Sequence, residues 1–211
     1  MSYYSYENRG GFMSRVPVAV KNIIIINILV MIMTYLNETL MVEKFALFYP
    51  TSPFFHWWQP VTHMFMHGGF AHLFFNMFAL YMFGRTLEYV WGPKRFLIFY
   101  IVAGVGAAFV QELVGAVRYY NVVDGMDAEA VKLVFDEGAA VLKQNMNYRL
   151  PSLAELNVVL NSQTVGASGA VYAILLGFGM LFPNESMYVF PLPIPIKAKY
   201  FVIGYALIEL Y

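Results

Sequence analysis

Thr164-Val165-Gly166-Ala167-Ser168-Gly169-Ala170-Val171-Tyr172-Ala173-Ile174-Leu175-Leu176-Gly177-Phe178-Gly179-Met180-Leu181-Phe182 reads as one apolar helix with two unlike sides. Gly166, Ala170, Ala173 and Gly177 recur at i, i+4, i+7 and i+11, a smooth ridge over which another helix can pack closely. At about 100° per residue, Ser168 projects on nearly the opposite side, with Tyr172 one turn further along the same face. A serine framed by small residues in an apolar helix is ordinarily a packing residue. A ridge on one side and a Ser/Tyr pair on the other nevertheless require neighbours all round, so this segment is the expected centre of a helical bundle.

The rest of the chain supplies the neighbours. Sixty per cent of the 211 residues are hydrophobic and only 12% are charged, against about 25% charged in soluble domains, so the composition is that of a membrane protein. Thirteen basic and 13 acidic residues cancel, which leaves no field for nucleic acid. The absence of cysteine excludes disulfides and thiolate chemistry. A hydrocarbon core about 30 Å thick needs roughly 20 helical residues. Candidate spans run about 18–36, 70–90, 96–114 and 164–182, and a fifth begins near Tyr200. Arg85 and Glu88 are placed to snorkel from the end of the second. Tyr200 to Tyr211 gives only about 18 Å of helix, so the expectation is a span that continues past the given residues.

Lys and Arg sort by side. Arg9, Arg15 and Lys21 precede the first span, Arg85, Lys94 and Arg95 join the second and third, and Lys197 and Lys199 join the fourth and fifth. This asymmetry predicts a cytoplasmic amino terminus. On the opposite side, residues 37–62 carry Trp57 and Trp58, expected at the headgroup belt. About 115–163 contains an amphipathic helix capped by Asp127, with Val131, Val134, Phe135, Val141 and Leu142 on one face and Glu129, Lys132, Asp136, Glu137 and Lys143 on the other. It is expected on the membrane or over the bundle. Pro191-Leu192-Pro193-Ile194-Pro195 reads as an extended loop.

Polar chemistry gathers in His63-Met64-Phe65-Met66-His67-Gly68-Gly69-Phe70-Ala71-His72-Leu73-Phe74-Phe75-Asn76. His72 and Asn76 are i,i+4 partners on one helical face. Gly68-Gly69 is expected to interrupt the helix, leaving two sub-sites, one with His63 and His67 and one with His72 and Asn76. Imidazole and carboxamide inside a span are costly unless paired, so they mark structural hydrogen bonds or a working site.

These segments, with Gly84-Arg85-Thr86-Leu87-Glu88 and Gly92 between them and Gly166-Ala167-Ser168-Gly169 with Tyr172 after them, resemble a rhomboid intramembrane serine protease over roughly Trp57 to Tyr211. The resemblance implies an all-α, polytopic transmembrane helical bundle with five of six core helices present. Residues 1–17 would be a cytoplasmic tail, 18–211 the rhomboid-like domain, and about 115–163 an insertion. It implies that Ser168 is the nucleophile, that His72, Asn76 and the Ser168 N–H stabilise the oxyanion, and that Tyr172 supports a catalytic histidine on the sixth helix. His63, His67, Arg85 and Glu88 would be structural. The partners implied are transmembrane-helix protein substrates and the lipid bilayer, with no cofactor, no metal and no nucleic acid, and the compartment a bacterial inner membrane. No histidine follows Ser168, so the base is expected outside residues 1–211 and the chain alone is expected to be inactive.

The chemistry agrees with those residue types. Peptide hydrolysis by serine needs a base, donors aimed at the oxyanion, and water. A transmembrane substrate must also unwind at its scissile bond, which favours small or helix-weakening residues there. Two other readings remain open at this point: a non-catalytic rhomboid-like adaptor that binds transmembrane helices, and a metal or haem protein using His63, His67 and His72. His63 and His67 have the spacing of a helical zinc pair, but Met64 stands where a zinc protease places its catalytic Glu.

Overall fold

A computed structural model describes residues 16–188 and 195–209. Arg9, Arg15 and the loop residues Pro191 to Ile194 lie outside them. The first helix, α1 (Val18–Leu36), buries Val20, Ile23, Asn27 and Met31 and turns Ile25, Ile28, Leu29 and Ile32 outward. Apolar side chains on the outside are what a lipid solvent asks for. Among the described residues, α1 and a later helix, α6 (Pro93–Val123), are long and apolar enough to cross a bilayer.

The start of α1 follows Pro17 and has no side-chain cap of its own. Its orphan N–H groups are satisfied from far along the chain: Ala19 and Val20 donate to the two carboxylate oxygens of Glu88, each at 2.8 Å. Glu88, expected at the surface, is therefore buried at 3% exposure. The positive end of a helix and two N–H donors hold its charge better there than lipid-depth solvent does. Arg85 does stay exposed, its Nη1 donating to Tyr81 Oη at 3.2 Å. Glu88→Ala is expected to destabilise the protein by about 3 kcal/mol or more, since two charge-assisted bonds vanish and two N–H groups are orphaned. Unfolding in detergent micelles measures this.

The connection after α1 is built, not loose. Asn37 caps α2 (Glu38–Phe45) by accepting from Leu40 N–H at 3.1 Å, and a short α3 (Gln59–Thr62) continues into a 3₁₀ turn, His63–Phe65. Trp58 Nε1 donates to the Lys44 carbonyl at 2.8 Å, fastening α3 to α2, while Trp57 is exposed.

The second expected span is one helical run with an irregular middle: α4 (Phe70–Ala79), a π turn (Leu80–Gly84) and α5 (Arg85–Trp91). The turn puts Gly84 where a side chain would press on Leu80, Phe96 and Val20 at 3.0 to 3.2 Å, so a small residue lets three segments close together. Gly92, at φ 78°, ends α5 in the left-handed region and α6 follows at once. The α6 helix is longer than the expected 96–114 and rises into the region expected to be insertion.

That region holds two further helices. Asp127 caps α7 (Ala128–Lys143), with Glu129 N–H donating to its Oδ1 at 3.4 Å. Val134 is buried with Val131 and Phe135 against Leu156 and Leu160 of α8 (Pro151–Asn161). Part of the apolar face of α7 thus meets another helix. Lys143 reaches back to Glu43 of α2 at 2.8 Å.

The expected central helix is α9 (Ser168–Leu181), which packs against α4, the π turn, α5, α6 and α10 (Ala198–Glu209). A two-stranded antiparallel hairpin, β1 (Ser186–Tyr188) with β2 (Pro195–Lys197), links α9 to α10 and is the small departure from an all-helical chain. The ridge is only partly as expected. Gly177 faces Trp91 and Leu87, and Ala170 is buried, but Gly166 precedes the helix. Gly169, off the ridge, makes the close approach to Ala107 of α6.

Candidate active site

Backbone pairing fixes the approach to Ser168. Leu47 and Thr164 exchange both hydrogen bonds, at 2.9 and 2.8 Å, as an isolated antiparallel bridge. Two residues later, Gly166 N–H donates to the His63 carbonyl at 3.0 Å. The chain then turns at Gly166, φ 132°, into α9, whose first residue is Ser168. The serine therefore sits at a helix N-terminus, where the dipole favours negative charge.

The second wall is α4. His72 Nε2 lies 3.2 Å from Ser168 Oγ, and Asn76 Nδ2 donates to the same Oγ at 3.3 Å and to the His72 carbonyl at 3.1 Å. Two polar groups from one helix face thus converge on the oxygen of a serine 96 and 92 residues away. Ser168 is exposed and Tyr172, one turn along, is half-buried. A serine oxygen flanked by a carboxamide donor and an imidazole nitrogen at a helix N-terminus is an arrangement that suits attack on a carbonyl and stabilisation of the resulting oxyanion.

His63 and His67 support this wall. His63 is 5% exposed, its Nδ1 is 3.0 Å from the Gln59 carbonyl, and its own carbonyl holds Gly166. His67 is buried, its ring edge-on to His72 with centroids 4.9 Å apart. The helix does break at Gly68-Gly69 as expected, but the sub-sites are joined: the extended backbone at Met66 brings His67 back onto His72. Burial, and then the neighbouring His72, hold the His67 ring neutral down to a pKa of about 4.

A pH dependence follows. The unfolded chain takes a proton on this histidine near pH 6.5 and the folded one near 4, so between these values the unfolded state binds more protons and folding loses stability as pH falls. The loss is at most about 3 kcal/mol. Unfolding midpoints in detergent should drop from pH 6.5 to 4, with a shallower slope in His67→Gln.

Gln59 and the Leu47/Thr164 pair complete the site without having been read from the sequence, and Gly166, read there as a ridge residue, belongs to the turn before the serine. Gln59 is fully buried and its Nε2 donates to the Phe54 carbonyl at 2.8 Å. Backbone partners leave no pattern in side chains. Only Gly166 carried a signal, a glycine two residues before the serine.

Comparison with known proteins identifies the family of the chain. The Rhomboid domain family model matches residues 55–211. An uncharacterized mitochondrial rhomboid protein of Schizosaccharomyces pombe is 28% identical over 158 residues, 69% of this chain and 40% of its own length. A rhomboid-like protease of Toxoplasma gondii is 27% identical over 154 residues, 69% of this chain and 58% of its own. The rhomboid protease GluP of Bacillus subtilis is 43% identical over 49 residues, 23% of this chain and 10% of its own. The chain thus spans less than two-thirds of the length of each of these relatives. Bacterial and mitochondrial proteins match alike, which gives no support to a bacterial inner membrane or a cytoplasmic amino terminus in particular.

Proposed function

The chain belongs to the rhomboid family, and on that premise we propose that it is the core of an intramembrane serine endopeptidase that cleaves transmembrane segments of other membrane proteins. Residues 18–211 form the rhomboid-type domain in this reading, 1–17 a tail and 115–163 an insertion. Ser168 is the nucleophile, and His72, Asn76 and the Ser168 N–H take the oxyanion. The observation that carries the reading is the convergence of His72 and Asn76 on Ser168 Oγ at 3.2 and 3.3 Å. A packing serine needs neither donor.

The base comes from the family resemblance. His72 is already within reach of Ser168 Oγ, but a His72 that takes the serine proton forfeits its place as an oxyanion donor. As the resemblance implies, the proposal gives the base to a histidine outside residues 1–211, stacked beside Tyr172, and predicts little turnover by residues 1–211 alone. Ser168, at the start of α9, has an exposed side that such a group can approach.

The test is cleavage of a reporter carrying one transmembrane helix by the full-length protein in proteoliposomes. Asn76→Ala is expected to lower kcat by about a hundredfold or more, as loss of one oxyanion donor does, with KM little changed. Absence of cleavage with every helical substrate tried, alongside tight helix binding, would instead favour the non-catalytic adaptor.

A further inference from the structure

Away from the serine, α6, α8 and the Leu47–Tyr49 stretch enclose a cavity of about 240 Å³, with Tyr49, Gln111, Glu112, Arg118, Ser162 and Thr164 among its walls. Glu112 Oε2 is buried there and has no hydrogen-bond partner. An unpaired buried carboxylate is costly. Either it carries a proton or a cation belongs against it. Arg118, further along α6 on the same wall, is ion-paired through its Nε to Glu155 at 3.3 Å, which uses one of the five N–H donors of a guanidinium. The cavity therefore carries an unpaired carboxylate oxygen and a guanidinium with N–H donors to spare, with hydroxyls and an amide also on its walls. Gly115 lets the Tyr49 ring close onto α6 at the cavity wall, since a side chain there would meet that ring at 3.1 Å.

Depth selects the ligand. Glu112 lies about 24 Å along α6 from Phe96, and Arg118 about 9 Å further. With Phe96 at one edge of a hydrocarbon core about 30 Å thick, Glu112 stands near its far edge and Arg118 in the headgroup layer. We propose that this cavity binds the headgroup of phosphatidylethanolamine, its ammonium on Glu112 and its phosphate on Arg118. A primary ammonium donates hydrogen bonds to a carboxylate, whereas a choline headgroup has no N–H and a glycerol headgroup brings no cation. The cavity wall includes Leu47 and Thr164, the pair that fixes the chain entering Ser168. Lipid seated here braces that pair.

Native mass spectrometry of the full-length protein, released from micelles doped equally with ethanolamine, choline and glycerol phospholipids of matched chains, tests the assignment. The ethanolamine lipid is expected to be retained about tenfold over both others, the scale of one charge-assisted hydrogen bond. Glu112→Gln should bring it to the choline level, and Arg118→Gln should weaken ethanolamine and choline lipids together. Equal retention of the three by the wild-type protein, which needs no variant to fold, would overturn the proposal. An undiminished preference in Glu112→Gln would do the same. Soluble phosphoethanolamine raising thermal stability as much as the lipid does would overturn the assignment to a lipid.

Discussion

Replacing Ser168 by alanine in the full-length protein is expected to cut the rate of reporter cleavage by about ten-thousandfold or more while leaving the fold intact. Removing the nucleophile of a serine hydrolase leaves only what positioning and oxyanion donors contribute over water. The fold should tolerate the change, because Ser168 is exposed at the first position of α9 and alanine is the best helix former. Asn76 Nδ2 also keeps its bond to the His72 carbonyl, so the loss of Oγ does not orphan that amide. Reporter kinetics and thermal unfolding of the same preparation separate the two effects. A variant that keeps more than about a hundredth of the wild-type rate, with ordinary stability, would remove Ser168 from the mechanism.

The candidate site was legible in the sequence where it rests on side chains. His72 and Asn76 stand four apart in an apolar segment, and polar groups there announce that something must meet them. The partner was legible for the same reason, since Ser168 faces away from small residues. Glu88 was misread because its partners are the N–H groups of Ala19 and Val20, and backbone donors look alike in every sequence. Of the two helices after α6, α7 shows a regular apolar period and an Asp cap, and α8 does not. Its packed face mixes Leu156 and Leu160 with Asn157 and Asn161, which bond to each other at 2.9 Å beneath Gly138. Polar residues paired with each other within a packed face break the very period that would reveal it. The π turn left no trace either, for Leu80 to Gly84 is as apolar as its surroundings.

Gly166 was the instructive error, because helical spacing placed it on a packing ridge and the structure places it in the turn before the helix. Its role there leads to a sharper expectation. Gly166→Ala should lower kcat by about a hundredfold, with a smaller effect on KM. At φ 132° an L-residue is strained, by about 1–3 kcal/mol. The added methyl would also stand 3.0 Å from His72 Cε1 and Nε2 and 3.3 Å from Ser168 Oγ. The turn must relax or the imidazole must move, and either shifts a donor relative to the oxygen it serves. Misplacement of about 1 Å is enough for a hundredfold loss. Gly68→Ala is the matched control: it lies in the connection before α4, next to Val165, and its methyl would touch only that residue, at 4.0 Å. Near-normal cleavage by Gly68→Ala beside a crippled Gly166→Ala would locate the effect at the His72–Ser168 contact. If Gly166→Ala instead retains more than about a tenth of the wild-type kcat, the contact seen between ring and hydroxyl does not set the rate.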